Sequence, residues 1–583
     1  MKEIFPSGVT AKFKNMNKKK LLLILFASIL LITAIVSMIA CVASRKNSTA
    51  KNEYHQAAHA IIKSSCSATL YPDLCFSTIS TLPNAAISKV RNTRDVIGLS
   101  LNVTKESVTK AYLKINRISS GLKKLTPREK IAFGDCFELL NQTIVQINKV
   151  ARKLHSYPSL KKSIAEHAEE FKILLSAALT NQETCIDGFS SYEVDKKVRQ
   201  LFLADERYVY RLCSNALALI KHMTDTDMVN SKEEQHSSSS DRKLEEDNGI
   251  EWPKWMSTKD RRLLQARSLT PHVIVAADGS GNYKTVTEAV NAAPSRSTSR
   301  YIIKIKAGVY RETLEVPNSK TNIMFFGDGS SKTIITYNKN VVDGSTTFNS
   351  ATVAAVGDGF LARDLTFQNS AGPSKHQAVA LRVGSDKSAF YRCSFIAFQD
   401  TLYVHTLRQF YVKCVIIGTI DFIFGNGAVV IQDSNIHARR PNPKQKNMLT
   451  AQGRTDPNEN TGIVIQNCRI GATKDLEEVK SSFPTYLGRP WKLYSRTIVM
   501  QTYISDIIHP AGWYEWDGNF ALDTLTYREY QNTGEGANTA NRVNWKGFKV
   551  MTSASEARPY TAENFIAGSS WLPSTGFPYS LGL

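Results

Sequence analysis

With 583 residues the chain is too long for one ordinary core, so two or three domains are expected. Its composition, 42% hydrophobic and 21% charged with 31 Gly and 19 Pro, is that of a globular protein. A formal charge of +21 points to a polyanionic partner: nucleic acid, an acidic membrane or an acidic polysaccharide. No zinc-finger or basic-zipper run supports nucleic acid. From Gln265 onward Lys and Arg outnumber Asp and Glu by 33 to 25, a net of +8, so the remaining +13 lies in the first 264 residues.

In chain order, Lys18, Lys19 and Lys20 precede LLLILFASILLITAIVSMIACVA, residues 21–43. These 23 residues carry no charge, span a bilayer with some tilt, and exceed the apolar stretch of a cleaved signal peptide. Positive-inside placement then gives a cytoplasmic basic tail (1–20), a transmembrane signal-anchor (21–43) and an exported remainder. Export makes the cysteines candidates for disulfides: Cys66, Cys75, Cys136, Cys185 and Cys213 in the first half, Cys393, Cys414 and Cys468 in the second. Cys41 lies in the membrane segment. The sequons at Asn47, Asn102 and Asn141 are consistent with export.

Residues 52–222 read as a helical bundle. Stretches 96–122 and 136–154 repeat apolar residues at three-to-four spacing without Pro, and YVYRLCSNALALIKHM adds a further stripe. Residues 223–264 read as a linker, on the polar, Ser-rich run SKEEQHSSSSDRKLEEDNG. It carries two basic candidates for proteolytic processing, Arg242-Lys243-Leu244-Glu245 and Arg261-Arg262-Leu263-Leu264. From Val273 the pattern changes to short alternating apolar runs closed by Gln, Asn or Asp. FLARDLTFQN, SAFYRCSFIAFQD, RQFYVKCVIIGTID, AVVIQDSNI and GIVIQNCRI are the clearest, the middle three recurring about every 20 residues and the last delayed by a long loop. A strand-rich repeat of that length predicts a parallel β-helix. A sandwich would want hairpins with Asn-Gly turns, which are not prominent.

In such a fold, residues one coil apart stack at about 4.8 Å. Asp400 and Asp421, 21 residues apart, become neighbours, with Gln399 adjacent, Gln377 about one coil back, and Phe398, Tyr403, Phe422 and Phe424 alongside. Spacing alone leaves two readings. Either the carboxyls form a site, in which one keeps its proton while the other ionises and the amides bind an oxyanion, or they cap turns in a polar ladder. No G-x-S-x-G elbow is present, FFGDGSSKT lacks the second glycine of a phosphate loop, and His376, His405 and His437 have no metal-ligand spacing, so turn or surface roles suit them. No metal or cofactor is implied.

The motifs GVYRETLEV, GSTTF, HQAVAL, QDTLY, DFIFGNG and YLGRPW, in this order from about Pro271 to the end, resemble the plant pectin methylesterases, carbohydrate esterases with a right-handed parallel β-helix. LLSAALTNQETCIDGF (174–189) and the Cys66/Cys75 spacing are similar to the pectin methylesterase inhibitor domain, a helical bundle. The whole chain thus resembles the pro-region-containing type: an all-α four-helix-bundle pro-region before an all-β catalytic domain, 265–583. The resemblance implies a pectinesterase that frees galacturonate carboxylates and methanol by way of an aspartyl acyl-enzyme.

Carried over residue by residue, Asp421 is implied as nucleophile and Asp400 as acid, then base. Gln377 and Gln399 are implied to hold the oxyanion, Arg489 to bind Asp421, and Trp491 and Thr347 to meet substrate. The resemblance also implies disulfides Cys66–Cys75 and Cys136–Cys185, with Cys213 a buried thiol. The family's usual partner for Cys414 is here Ser434, which leaves Cys414 either free or bridged to Cys393 one coil earlier. The bundle is expected to assist folding or silence the enzyme until a processing protease cuts the linker. Pectin, separate inhibitor proteins and the membrane are the expected partners, and the cell wall the destination of the mature domain. Rival readings are a pectin lyase or polygalacturonase, disfavoured by the amide pair and the LGRPW arginine, and an inactive pectin-binding scaffold, disfavoured by the presence of both aspartates.

Overall fold

The computed structural model describes residues 17–158, 163–190, 193–236 and 270–583, with the side chains of 46–53, 193–194 and 232–236 excepted. Both candidate processing sites lie outside the described residues.

Helix α1 (Lys18–Cys66) runs unbroken for 49 residues. Its Lys18–Arg45 part is long and apolar enough to cross a membrane, and none of it is buried against the rest of the protein. The same helix then enters the bundle, burying Ala58 and Ile62. The Cys66–Cys75 disulfide closes its hairpin with α2 (Pro72–Ser80).

Three long helices follow: α3 (Thr93–Gly121), α4 (Pro127–His155) and α5 (Ile164–Asp187). Their starts are set by capping chemistry. Asn92 accepts from the Asp95 N–H, and Thr126/Glu129 and Ser163/Glu166 form reciprocal capping boxes. These caps explain why α3 and α4 begin before the first apolar repeat at 96 and 136. Cys136–Cys185 ties α4 to α5. The last helix, α6 (Leu203–His236), continues past residue 222 into the stretch that reads as linker. A Lys221–Asp225 pair and the Tyr157 hydroxyl donating to Asp227 at 2.6 Å hold that extension. Cys213 is buried on α6, and burial pushes its thiol up to about 12.

Beyond residue 270, and among the described residues, the strands form three parallel sheets of eleven, eight and seven strands. In the central coils all three faces repeat at 21 residues, pairing Ser388 with Gln409, Ser394 with Val415, and Leu402 with Ile423. The next turn pairs Ala428 with Gly462, the loop at 439–461 accounting for the delay. The core is filled by stacked aromatics, with Phe367 on Phe395 at 5.7 Å and Phe390 on Tyr411 at 4.7 Å. The chain turns the corner between the two larger sheets on single left-handed residues: Asp364, Arg392, Lys413, Asp433, Asn467 and Gln501 all have φ between 49° and 59°.

Cys393 and Cys414 occupy stacked positions, as the spacing predicts, but both are buried free thiols. Cys414 Sγ faces the carbonyls of Phe390 and Val412, each at 3.4 Å, and Cys393 Sγ faces that of Tyr391. Side chains stacked in a parallel ladder point the same way, not at each other, which corrects the bridge allowed by coil spacing.

The bundle sits on the β-helix with α4 and α5 against the seven-stranded sheet. Thr184 bonds His405 at 3.0 Å, Asn426 donates to Thr180 at 2.8 Å, Ser214 donates to Asp456 at 2.5 Å, and Lys149 pairs with Asp358 at 2.6 Å. His405 is therefore fully buried at this contact instead of in a turn or at the surface.

Candidate active site

We number the strands of the seven-stranded sheet β1 (Leu314–Val316), β2 (Val353–Ala355), β3 (Leu381–Val383), β4 (Leu402–Tyr403), β5 (Ile423–Gly425), β6 (Asn447–Gln452) and β7 (Thr485–Gly488). They lie side by side in chain order. Asp400 and Asp421 each stand two residues before a strand, β4 and β5, in register one above the other. Both have left-handed backbones, φ 63° and 51°. Aspartate tolerates that conformation better than most residues, because its short side chain can bond locally. The corner turns both carboxyls out of the ladder into a cavity of about 320 Å3.

Arg489, directly after β7, reaches back two strands. Its Nε donates to Asp421 Oδ1 at 2.8 Å and its Nη2 to Oδ2 at 2.6 Å. This is the bidentate fork that fixes a carboxylate in orientation as well as position. Gly488 permits the approach, since a Cβ there would lie 2.0 Å from Thr450 Oγ1. Arg489 also lies 4.4 Å from the ring of Trp516. Asp400 has no such partner. Burial, and then the negative charge of Asp421, pushes its pKa well above the usual carboxyl range. One carboxyl is thus clamped by a cation while its neighbour holds a proton.

Gln377, Gln399, Thr347 and Trp491 line the same cavity as Asp400, Asp421 and Arg489, so all seven candidate residues meet. Of the flanking aromatics, Tyr403 and Phe424 line it and stack at 4.2 Å. Phe422 instead turns into the core, and Phe398 packs under Arg439 at 3.8 Å. Gly453 makes room for Trp491, whose ring would be 2.9 Å from a Cβ at that position.

Sequence reasoning missed Phe348, Trp516 and the bundle's share of the wall. Phe348 sits inside GSTTF, a motif read only for its threonine. Trp516 arrives because Gly488 bridges to Trp513, a spacing outside the 21-residue coil. Thr184, Asp187 and Gly188 come from the end of α5, and no local signal marks them as facing a distant carboxylate pair.

A family model described as Pectinesterase matches residues 272–569, and one described as Plant invertase/pectin methylesterase inhibitor matches 60–219. A pectinesterase/pectinesterase inhibitor of Solanum lycopersicum is 59% identical over 97% of both chains. A pectinesterase/pectinesterase inhibitor of Arabidopsis thaliana is 56% identical over 100% of this chain and 99% of its own. Among solved structures, the pectin methylesterase from carrot is 70% identical, with a TM-score of 0.54 over 55% of this chain and 100% of that one.

Proposed function

Because the chain belongs to the plant pectinesterases that carry an inhibitor-like amino-terminal domain, and is a pectin methylesterase, we propose that it works through an acyl-enzyme on Asp421. An Asp421 oxygen attacks the carbonyl carbon of a galacturonate methyl ester. The side-chain amides of Gln377 and Gln399 stabilise the oxyanion that forms. Asp400 gives its proton to the departing methoxide, methanol leaves, and a mixed anhydride links sugar and Asp421. Asp400, now ionised, takes a proton from water as that water attacks the same carbonyl. Galacturonate leaves with a free carboxylate, and both aspartates return to their starting state. Trp491 packs against a sugar ring and Thr347 contacts the chain.

The observation that carries this reading is the asymmetry of the pair: Arg489 clasps both oxygens of Asp421 while buried Asp400 retains a proton. Methanol release from highly methylated pectin by residues 265–583, beside Asp421→Asn, tests it. We expect methanol from the wild type only, with no new reducing ends and no unsaturated products. Equal release by the variant removes Asp421 from the role.

The finer organisation belongs to the same reading. α1 is a signal-anchor during export, and the 265–583 domain goes to the cell wall. The bundle covers the cleft until a protease cuts at Arg261-Arg262-Leu263-Leu264 or Arg242-Lys243-Leu244-Glu245. Separate inhibitor proteins are further candidate partners of the exposed cleft. The support for occlusion is that α5 itself walls the cavity holding the aspartates.

A further inference from the structure

Two cations flank the catalytic pair along the β-helix axis, and in this structure the bundle holds both. Arg382 lies on β3, one coil before Asp400, with its guanidinium 3.5 Å from the Phe348 ring. Its Nη1 is 3.3 Å from Glu138 on α4, its Nη2 is 3.5 Å from Glu315 on β1, and its Nε is buried without a hydrogen-bond partner. On the other side Lys492, just after β7, has its Nζ 3.1 Å from Glu183 and 3.0 Å from Asp187, both on α5. From β3 to β7 is four strands, about 19 Å at the usual interstrand spacing. Phe348 beside Arg382 and Trp491 beside Lys492 both line the cavity between.

Each cation is thus met by carboxylates that leave with the bundle. Without α5, Lys492 retains no ion-pair partner among the described residues, and Arg382 retains only the long contact to half-exposed Glu315. A buried cation stripped of its counter-charge is costly unless another anion takes the place. The polymer this enzyme acts on acquires such anions, one at every ester it loses. Chemically they are the groups the bundle presents, carboxylates beside an apolar ring.

We propose that Arg382 and Lys492 bind the free carboxylates of already de-esterified galacturonate units on either side of the ester being cleaved. The cleft then favours esters adjacent to free acids, and de-esterification extends in blocks. The bundle closes the cleft by presenting Glu138, Glu183 and Asp187 in place of those carboxylates. The proposal rests on the acyl-enzyme site lying between the two cations.

The test uses residues 265–583, a span whose independent folding is supported by the carrot enzyme, matched over its whole length by 55% of this chain. Inhibition of methanol release by fully de-esterified polygalacturonate is measured at low salt for wild type, Arg382→Gln, Lys492→Gln and Arg382→Lys. We expect the inhibition constant to rise about tenfold in each Gln variant and to recover in part in Arg382→Lys, as befits the loss of one charge-assisted contact. We also expect added salt to weaken wild-type inhibition. The distribution of free acids in the product, read by sequencing its oligomers, should shift from runs toward scattered sites. An inhibition constant unchanged in both Gln variants, or a wild type indifferent to polygalacturonate, overturns the proposal. Arg382→Lys and Lys492→Gln decide the matter even where Arg382→Gln folds poorly. Failure of the acyl-enzyme reading registers separately, as methanol release surviving Asp421→Asn.

Discussion

At the scale of the residue, the two aspartates share one backbone conformation and one ladder position but not one environment. The difference is made by Arg489, 68 residues from Asp421 in the chain. Arg489→Lys keeps the charge and loses the fork, so kcat/KM should fall about 10- to 100-fold, measured by methanol release. Asp400 works as an acid only while protonated. Its raised pKa means the acid form persists above the ordinary carboxyl range and is lost as pH rises through that raised value. The pH profile of kcat/KM should therefore have an alkaline limb, and Asp400→Asn should abolish turnover without loss of fold. The pairing of Asp400 with Asp421 was legible from a spacing of 21. Which of the two is clamped was not, because the clamp comes from a loop no periodicity points to.

At the scale of the element, the coil corner beside the second-largest sheet shows how a parallel ladder replaces a disulfide. Cys393, Cys414, Ser434, Cys468 and Thr502 occupy successive coils in register. The Cys414 N–H donates to Ser434 Oγ at 3.0 Å, and Ser434 Oγ donates to the Gln432 carbonyl at 2.7 Å. Thr502 repeats the arrangement for the Cys468 N–H at 3.2 Å. A serine in this row thus satisfies a backbone donor that would otherwise be buried unpaired. Ser434→Ala should cost about 1–3 kcal/mol in a denaturant titration of the catalytic domain. The unfolded, unreduced 265–583 domain should titrate three thiols, Cys393, Cys414 and Cys468. A single thiol would mean that two of them had bridged. The strands themselves were legible from alternation and recurrence. The thiol geometry was not, because sequence spacing gives stacking and says nothing of where two stacked Sγ atoms point.

At the scale of the whole molecule, the docked bundle is responsive to pH. Asp135 on α4 accepts from Thr346 Oγ1 at 2.5 Å and from Asn349 Nδ2 at 3.4 Å, both across the interface. Burial, partly offset by the Thr346 bond and by Arg382, raises its pKa to about 7. Nearby Glu138 adds to the rise. A docked value above the free one means that docking takes up a proton. The contact is strongest below the free carboxyl's range and weakens as pH climbs toward and through about 7. The dissociation constant of a separated bundle for the catalytic domain should therefore increase with pH, by up to about tenfold per unit for one proton. Asp135→Asn should flatten that slope, as read by calorimetry across the range.

By itself the sequence determined the elements and their order: an apolar span after a lysine cluster, helical stripes, a polar run, and a recurrence near 20 residues that makes a stack of coils. These are local properties, written in periods of 3.6 and 2 and in the length of one coil, so Asp400 and Asp421 could be placed together before any coordinate was known. Tertiary structure alone decided which groups meet across distances that no period spans. Arg489 closes on Asp421 through a loop, Trp516 arrives on an irregular coil, and α4 and α5 set their carboxylates on Arg382 and Lys492 across a domain boundary. Such contacts depend on shape and charge complementarity between separately folded surfaces, and one chain's periodicity does not encode them.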